Sequence, residues 1–148
     1  MMHLVPLEAV DNVWPKVHDW IDNAIFKAKS NRSVIETYQQ CRSGSLFMAV
    51  NTPAKEGPLS VDDIRGVLLM AIYDLEGQRT CQYVYVAGEG DTEEWFGEAL
   101  KWDWFTTMGV VQFINEGRTG WVKRLETLIP DLQVIRVVFS WRHRGGSD

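Results

Sequence analysis

The two cysteines of this chain, Cys41 and Cys81, stand far apart and form no C-x-x-C pair. Neither a zinc-site pattern nor a disulfide framework is present, and a reducing cytoplasm is the compartment expected. No run approaches the roughly 20 apolar residues that span a bilayer. The opening stretch "MMHLVPLEAVDNVWPKV" also lacks a charged segment followed by a long apolar core, so neither secretion nor membrane insertion is expected. Positive charge is not in excess. The net charge of -5 speaks against a nucleic-acid binder that neutralises phosphates, and the locally basic "WRHRGG" reads as a solvated end. There is no internal repeat and no low-complexity segment. The histidines His3, His18 and His143 are scattered and suggest neither a metal site nor a catalytic group.

What is present is an ordinary globular composition, 45% hydrophobic and 24% charged, in a chain of 148 residues. That length fits a single domain over 1–148 with a core that needs no staples. Asp11 or Asn12 is expected to cap a first helix in which Val13, Val17, Trp20, Ile21, Ala24, Ile25 and Ala28 recur at helical spacing. Ser33 with Glu36 makes a capping box for a second helix ending near Gly44. "SLFMAVN" reads as a strand. "TPAKEGPLSVDD" reads as a loop, and is the best candidate for a mobile region. "IRGVLLMAIYD" and "RTCQYVYVAG", joined by "LEGQ", suggest an antiparallel hairpin turning at Gly77. A helix from about 92 to 108, a short strand "VVQFIN", a short helix "TGWVKRLETLI" and a last strand "LQVIRVVFSW" complete the order ααβββαβαβ. The strands at 83–86 and 110–115 are expected to be parallel neighbours joined by a right-handed crossover.

This order, with "VAGEGDTEEW", "KWDWFTTMG", "VVQFINE" and "GRTGWVKRL" following "CRSGSLFMAV" and "IRGVLLMAI", resembles the GNAT acyltransferases. The resemblance is to the GNAT-like proteins encoded by tailed bacteriophages and prophages, and it covers nearly the whole chain. It implies an α+β sandwich, with a mixed, mostly antiparallel twisted sheet flanked by helices. It also implies a place for the pyrophosphate of acetyl-CoA, on backbone N–H groups of a turn of the type [RQ]-x-x-G-x-[GA] between the fourth strand and the main helix. An anion is favoured there because the first N–H groups of a helix are unpaired and its dipole is positive at that end.

The corresponding residues are Ala87, Gly88, Glu89, Gly90, Asp91 and Thr92. The glycines are present, but the leading arginine or glutamine is not. Between Arg79 and Lys101 stand Glu89, Asp91, Glu93, Glu94 and Glu98 and no basic residue. Carboxylates held within about 4 Å of an anion oppose it by roughly 1 to 4 kcal/mol. Asp91 with Glu94 also forms a capping box that would occupy two of the N–H groups a phosphate needs. The turn therefore reads as a degenerate, self-capped version of a CoA cradle.

Arg118 in "GRTGW" either binds an acid of a ligand or partner, or pairs with Glu116, while Gly117, Gly120, Thr119 and Trp121 build a tight strand-to-helix connection. The resemblance implies a tyrosine acid near the last helix, yet no tyrosine follows Tyr85. Tyr83 and Tyr85, expected on one face of their strand, can substitute or simply pack. In "TEEWFGEALKWDWFTTMG" the rings of Trp95 and Trp102 share a face assigned to the sheet, whereas Trp104 and Phe105 continue around the far side and suggest an interaction surface.

Two functions follow. The first is a non-catalytic or weakly ligand-binding module, with no firm cofactor and other protein chains (phage structural proteins or a second copy) as partners. It would act in the cytoplasm of a bacterial host or within a virion. The alternative is an acetyl-CoA-dependent N-acetyltransferase of unknown acceptor.

Overall fold

The computed structural model describes residues 1–90 and 92–115. The expected helix "TGWVKRLETLI", the last strand, Asp91, Glu116, Arg118 and His143 lie outside the described residues.

The chain opens with a strand that the sequence pattern does not announce, β1 (Met2–Val5), followed by a 3-10 turn at Leu7–Ala9. Four residues are too few to show an alternation. Helix α1 (Val10–Lys27) buries Val10, Val13, Val17, Ile21 and Ile25, one stripe at helical spacing. Its N-cap is Ala9, with no side-chain cap, which corrects the expectation for Asp11 or Asn12. Asp11 lies in the first turn instead, where it accepts from the Tyr38 hydroxyl and from Arg42 of α2 (Val34–Ser43). Helix α2 starts as its sequence requires, the Ser33 hydroxyl accepting from the Glu36 N–H at 3.0 Å, and ends at Gly44 with φ +84°.

Strands β2 (Phe47–Asn51), β3 (Gly66–Leu75) and β4 (Gln78–Gly88) follow. The loop between β2 and β3 carries a 3-10 turn at Val61–Asp63, whose Ser60 and Asp63 form a capping box and whose Asp63 pairs with Lys55 at 3.2 Å. The β3–β4 hairpin turns on Glu76 and Gly77, at φ +52° and +80°, the positive pair that a type I′ turn requires.

The helix expected over 92–108 is two helices. Helix α3 (Thr92–Leu100) closes with short i−3 bonds at Lys101 and Trp102, and α4 (Trp104–Thr107) follows as a separate helix. Burial accounts for the break. Phe105 sits among Tyr83, Trp102, Trp104 and Phe113, and one continuous helix would have spread its aromatics around its girth instead. Strand β5 (Gln112–Asn115) then joins the sheet.

The sheet runs β1-β2-β3-β4-β5, with every pair antiparallel except β4–β5, which is parallel. The parallel rungs run from Thr80↔Gln112 to Tyr83↔Asn115, a few residues earlier on β4 than expected. One face packs on α1, with Val17, Ile21, Met48, Val50, Val67, Leu69 and Tyr85 in a single core. The other carries Tyr83 against Phe96 of α3 and Phe105 of α4. No helix among the described residues is long and apolar enough to cross a membrane.

Candidate functional site

The site forms where β4 runs out. On β3, Leu69 pairs with Tyr85 and the next residue, Met70, pairs with Tyr83, which leaves Val84 as the extra residue of a β-bulge. Neighbouring residues of β3 point to opposite faces, so the bulge sends Tyr83 and Tyr85 to opposite faces too. The expectation of one shared face is corrected on this point. Tyr85 joins the α1 core and donates to Ser30 Oγ at 2.8 Å. Tyr83 enters the other layer, stacked on Phe113 at 5.7 Å and edge-on to Phe96 at 5.3 Å. It is 5% exposed, and its hydroxyl has no hydrogen-bond partner among the described residues. Burial, and then the neighbouring Cys81, push its pKa well above the usual tyrosine value, so it stays a neutral O–H. Both cysteines are buried and free, and burial raises Cys41 to about 11 and Cys81 to about 12, which leaves them inert thiols.

Past the bulge, β3 and β4 approach very closely. Gly66 pairs with Gly88, and a Cβ on Gly88 would collide with the Arg65 carbonyl oxygen and lie 2.7 Å from Gly66 Cα. A Cβ on Gly66 would lie 2.5 and 2.6 Å from Cζ2 and Cε2 of Trp95, whose ring lies over this rung. Gly88 is therefore a glycine for the sake of strand packing. Gly90 differs, with φ +63° and no heavy atom within 4 Å of where its Cβ would stand. Ala87 remains in β4 opposite Val67, and Thr92 opens α3.

Around this turn lies a cleft of about 430 Å³ lined by Asn51, Arg65, Glu89, Gly90, Glu94, Trp95 and Glu98. Glu98 accepts from Asn51 Nδ2 at 3.3 Å and faces the Met1 ammonium at 2.9 Å. One cation reaches the turn from distant sequence and a second residue that carries one lines the cleft beside it. Lys16 of α1, lying over the Trp20 ring, places Nζ 4.0 Å from Glu89 Oε1. Arg65 lines the cleft and makes no ion pair among the described residues. Nothing local in the sequence marks either one. Lys16 is a polar residue on an amphipathic helix and Arg65 precedes a strand, and only the packing of α1 on the sheet and the β3–β4 pairing bring them here.

These residues test the fit of a CoA diphosphate. One N–H of the turn, that of Glu89, already donates to the Arg65 carbonyl at 2.9 Å. The open backbone at Gly90, the start of a nine-residue helix and the cations Lys16 and Arg65 suit an anion, while the carboxylates of Glu89, Glu94 and Glu98 oppose one. The turn can take an anion at the open backbone of Gly90 and the start of α3, beside Lys16 and Arg65. The Asp91–Glu94 capping box lies outside the described residues, as does Arg118.

Of the two residues expected to anchor an interaction surface, Phe105 is buried at 3% exposure, held among four aromatic rings, and offers no surface. Trp104 is half-buried, stacked on Trp102 at 5.1 Å and edge-on to Phe47 at 5.4 Å. Among the described residues no group of three or more His, Cys, Asp or Glu is placed to hold a metal ion.

Among the described residues, a mixed five-stranded sheet whose one parallel pair involves the bulged strand, with a helix springing from the end of that strand, is the fold of the GNAT acetyltransferases. An aminoglycoside acetyltransferase from an uncultured soil metagenomic sample, solved in complex with sisomicin, is similar to this chain with a TM-score of 0.64. The two are 10% identical, over 97% of this chain and 96% of that one. A ribosomal-protein-alanine N-acetyltransferase from Brucella melitensis biovar Abortus 2308 gives 0.61 at 10% identity, over 97% and 99%. A Trypanosoma brucei acetyltransferase gives 0.55 at 10% identity, over 95% and 99%. No family model and no curated protein matches the chain.

Proposed function

We propose that the protein is an acetyl-CoA-dependent N-acetyltransferase, its donor's diphosphate held at the β4–α3 turn by the N–H groups that open α3, by Lys16 and by Arg65. The observation that carries this reading is Lys16, whose Nζ comes within 4.0 Å of Glu89 at a turn whose own sequence has no cation, with Arg65 lining the same cleft. The three similar solved structures described above support it, since they are acetyltransferases. Acetyl-CoA brings the activated acyl group as a thioester, and the chain binds the anionic end and orients the arm along β4.

A second reading, the non-catalytic module, is favoured by the engaged Glu89 N–H and by the carboxylates of Glu89 and Glu94. In that reading the Trp102–Trp104 surface meets other protein chains. A place in a phage particle rests on the sequence resemblance alone.

The test is release of free thiol from acetyl-CoA in the presence of a panel of amines (polyamine, aminoglycoside, peptide N-terminus), together with titration calorimetry. Micromolar binding and amine-dependent thiol release are expected. No binding at millimolar acetyl-CoA would leave only the module.

A further inference from the structure

We propose that the Tyr83 hydroxyl is the hydrogen-bond donor that receives the acyl carbonyl of the donor thioester, a role that rests on the acetyltransferase reading. A hydroxyl that is buried and unpaired calls for an account, because nearly all such groups in folded proteins have a partner. Tyr83 is 5% exposed, and among the described residues no atom accepts from its hydroxyl.

Its position supplies the account. Tyr83 occupies the last described rung of the β4–β5 ladder, opposite Asn115, and the bulge at Val84 follows immediately. Beyond it β4 continues for five residues to Gly88, about 16 Å at 3.3 Å per residue. A long arm laid along β4 from an anion at the turn brings its far end back to this rung. Bulges sit beside active sites for this reason, since they re-aim a side chain, and here the bulge puts Tyr83 into the layer shared with α3 while Tyr85 goes to the α1 core.

The surroundings suit a donor. Phe96, Phe105 and Phe113 hold the ring without offering it an acceptor, and an O–H in such a dry place bonds a carbonyl more strongly than it would in water. The group that would accept is the thioester oxygen, on which negative charge grows as an amine attacks, so the bond tightens as the reaction proceeds.

The Tyr83→Phe variant keeps the ring and removes only the oxygen. Two measurements on the intact protein decide the matter: the melting temperature without ligand, and calorimetric Kd values for acetyl-CoA and for CoA. Wild type should prefer acetyl-CoA over CoA by about fivefold, the worth of one neutral hydrogen bond. The variant should bind both alike and melt no lower than wild type, since it loses an unsatisfied polar group. If the variant keeps the preference, the hydroxyl serves an ordered water and the proposal is wrong. A variant that melts well below wild type also overturns it, because the hydroxyl then has a partner within the protein. Wild type that binds the two ligands equally refutes the role of Tyr83 alone, whereas wild type that binds neither refutes the acetyltransferase reading and this proposal with it.

Discussion

Gly66→Ala should destabilise the protein through a single ring. The added methyl would lie 2.5 Å from Trp95 Cζ2 and 2.6 Å from Cε2, well inside van der Waals contact, so the indole must move. Trp95 is 8% exposed on α3, and its ring cannot leave without opening the layer between helix and sheet. Overpacking of this kind costs about 1–3 kcal/mol. For a chain of this length each kcal/mol lowers Tm by about 2–4 °C. Trp95→Ala alone should cost about 3–5 kcal/mol through the cavity it leaves. The double variant is the decisive one. With the indole gone the new methyl meets open space, so Gly66→Ala should add nothing to Trp95→Ala, a coupling of about 1–3 kcal/mol. Denaturant melts of the four proteins measure it. Strictly additive effects would mean that the glycine is needed for its backbone freedom and not for the ring, and the account of this cleft wall would fall.

Lys16→Gln should weaken acetyl-CoA binding by roughly fivefold, about 1 kcal/mol, and Glu89→Gln should strengthen it by a similar factor, with both differences shrinking as salt rises; calorimetry at two ionic strengths checks this. Asp63 has its pKa lowered by the Ser60 N–H first and then by Lys55, so its contribution to stability is present above the unfolded carboxylate value near 4 and is lost as pH falls through the lower folded value. The Tm gap between wild type and Asp63→Asn should therefore be full at pH 7 and should close below about pH 4; a gap that holds at pH 2 would contradict the assignment. Trp104→Ala, at a half-buried ring, should lower Tm less than Trp95→Ala does and should reduce any self-association seen by ultracentrifugation. Equal loss of stability from the two would place Trp104 in the core.

How far the site was legible in the sequence depended on whether its parts were close in the chain. The Ser33–Glu36 cap, the Gly77 turn, the order of the three central strands and the parallel fifth strand all follow from local chemistry or short connections, and all are found. The split of α3 from α4 was not legible, because helical periodicity continues through "ALKWDWF" while the choice to break was made by burying Phe105 against Tyr83 and Phe113. Nor was the bulge. A one-residue insertion leaves the alternation of Tyr83 and Tyr85 intact on paper and reverses it in space, and its only trace is the pairing of Leu69 and Met70 across the sheet. The surroundings of the turn were not legible for a related reason. Counting along the chain from Arg79 to Lys101 finds only acids, but charges act through space, and helix α1 brings Lys16 Nζ to 4.0 Å from Glu89 while Arg65 lines the same cleft. Both departures fall beside the turn and the parallel pair, where one donor is expected to lie. A sequence can state the elements of such a site plainly and still hide its chemistry, since the anion proposed at the end of β4 would meet residues of α1 and of the approach to β3, and the Tyr83 hydroxyl, unpartnered among the described residues, acquires its place only through a residue that pairs with nothing.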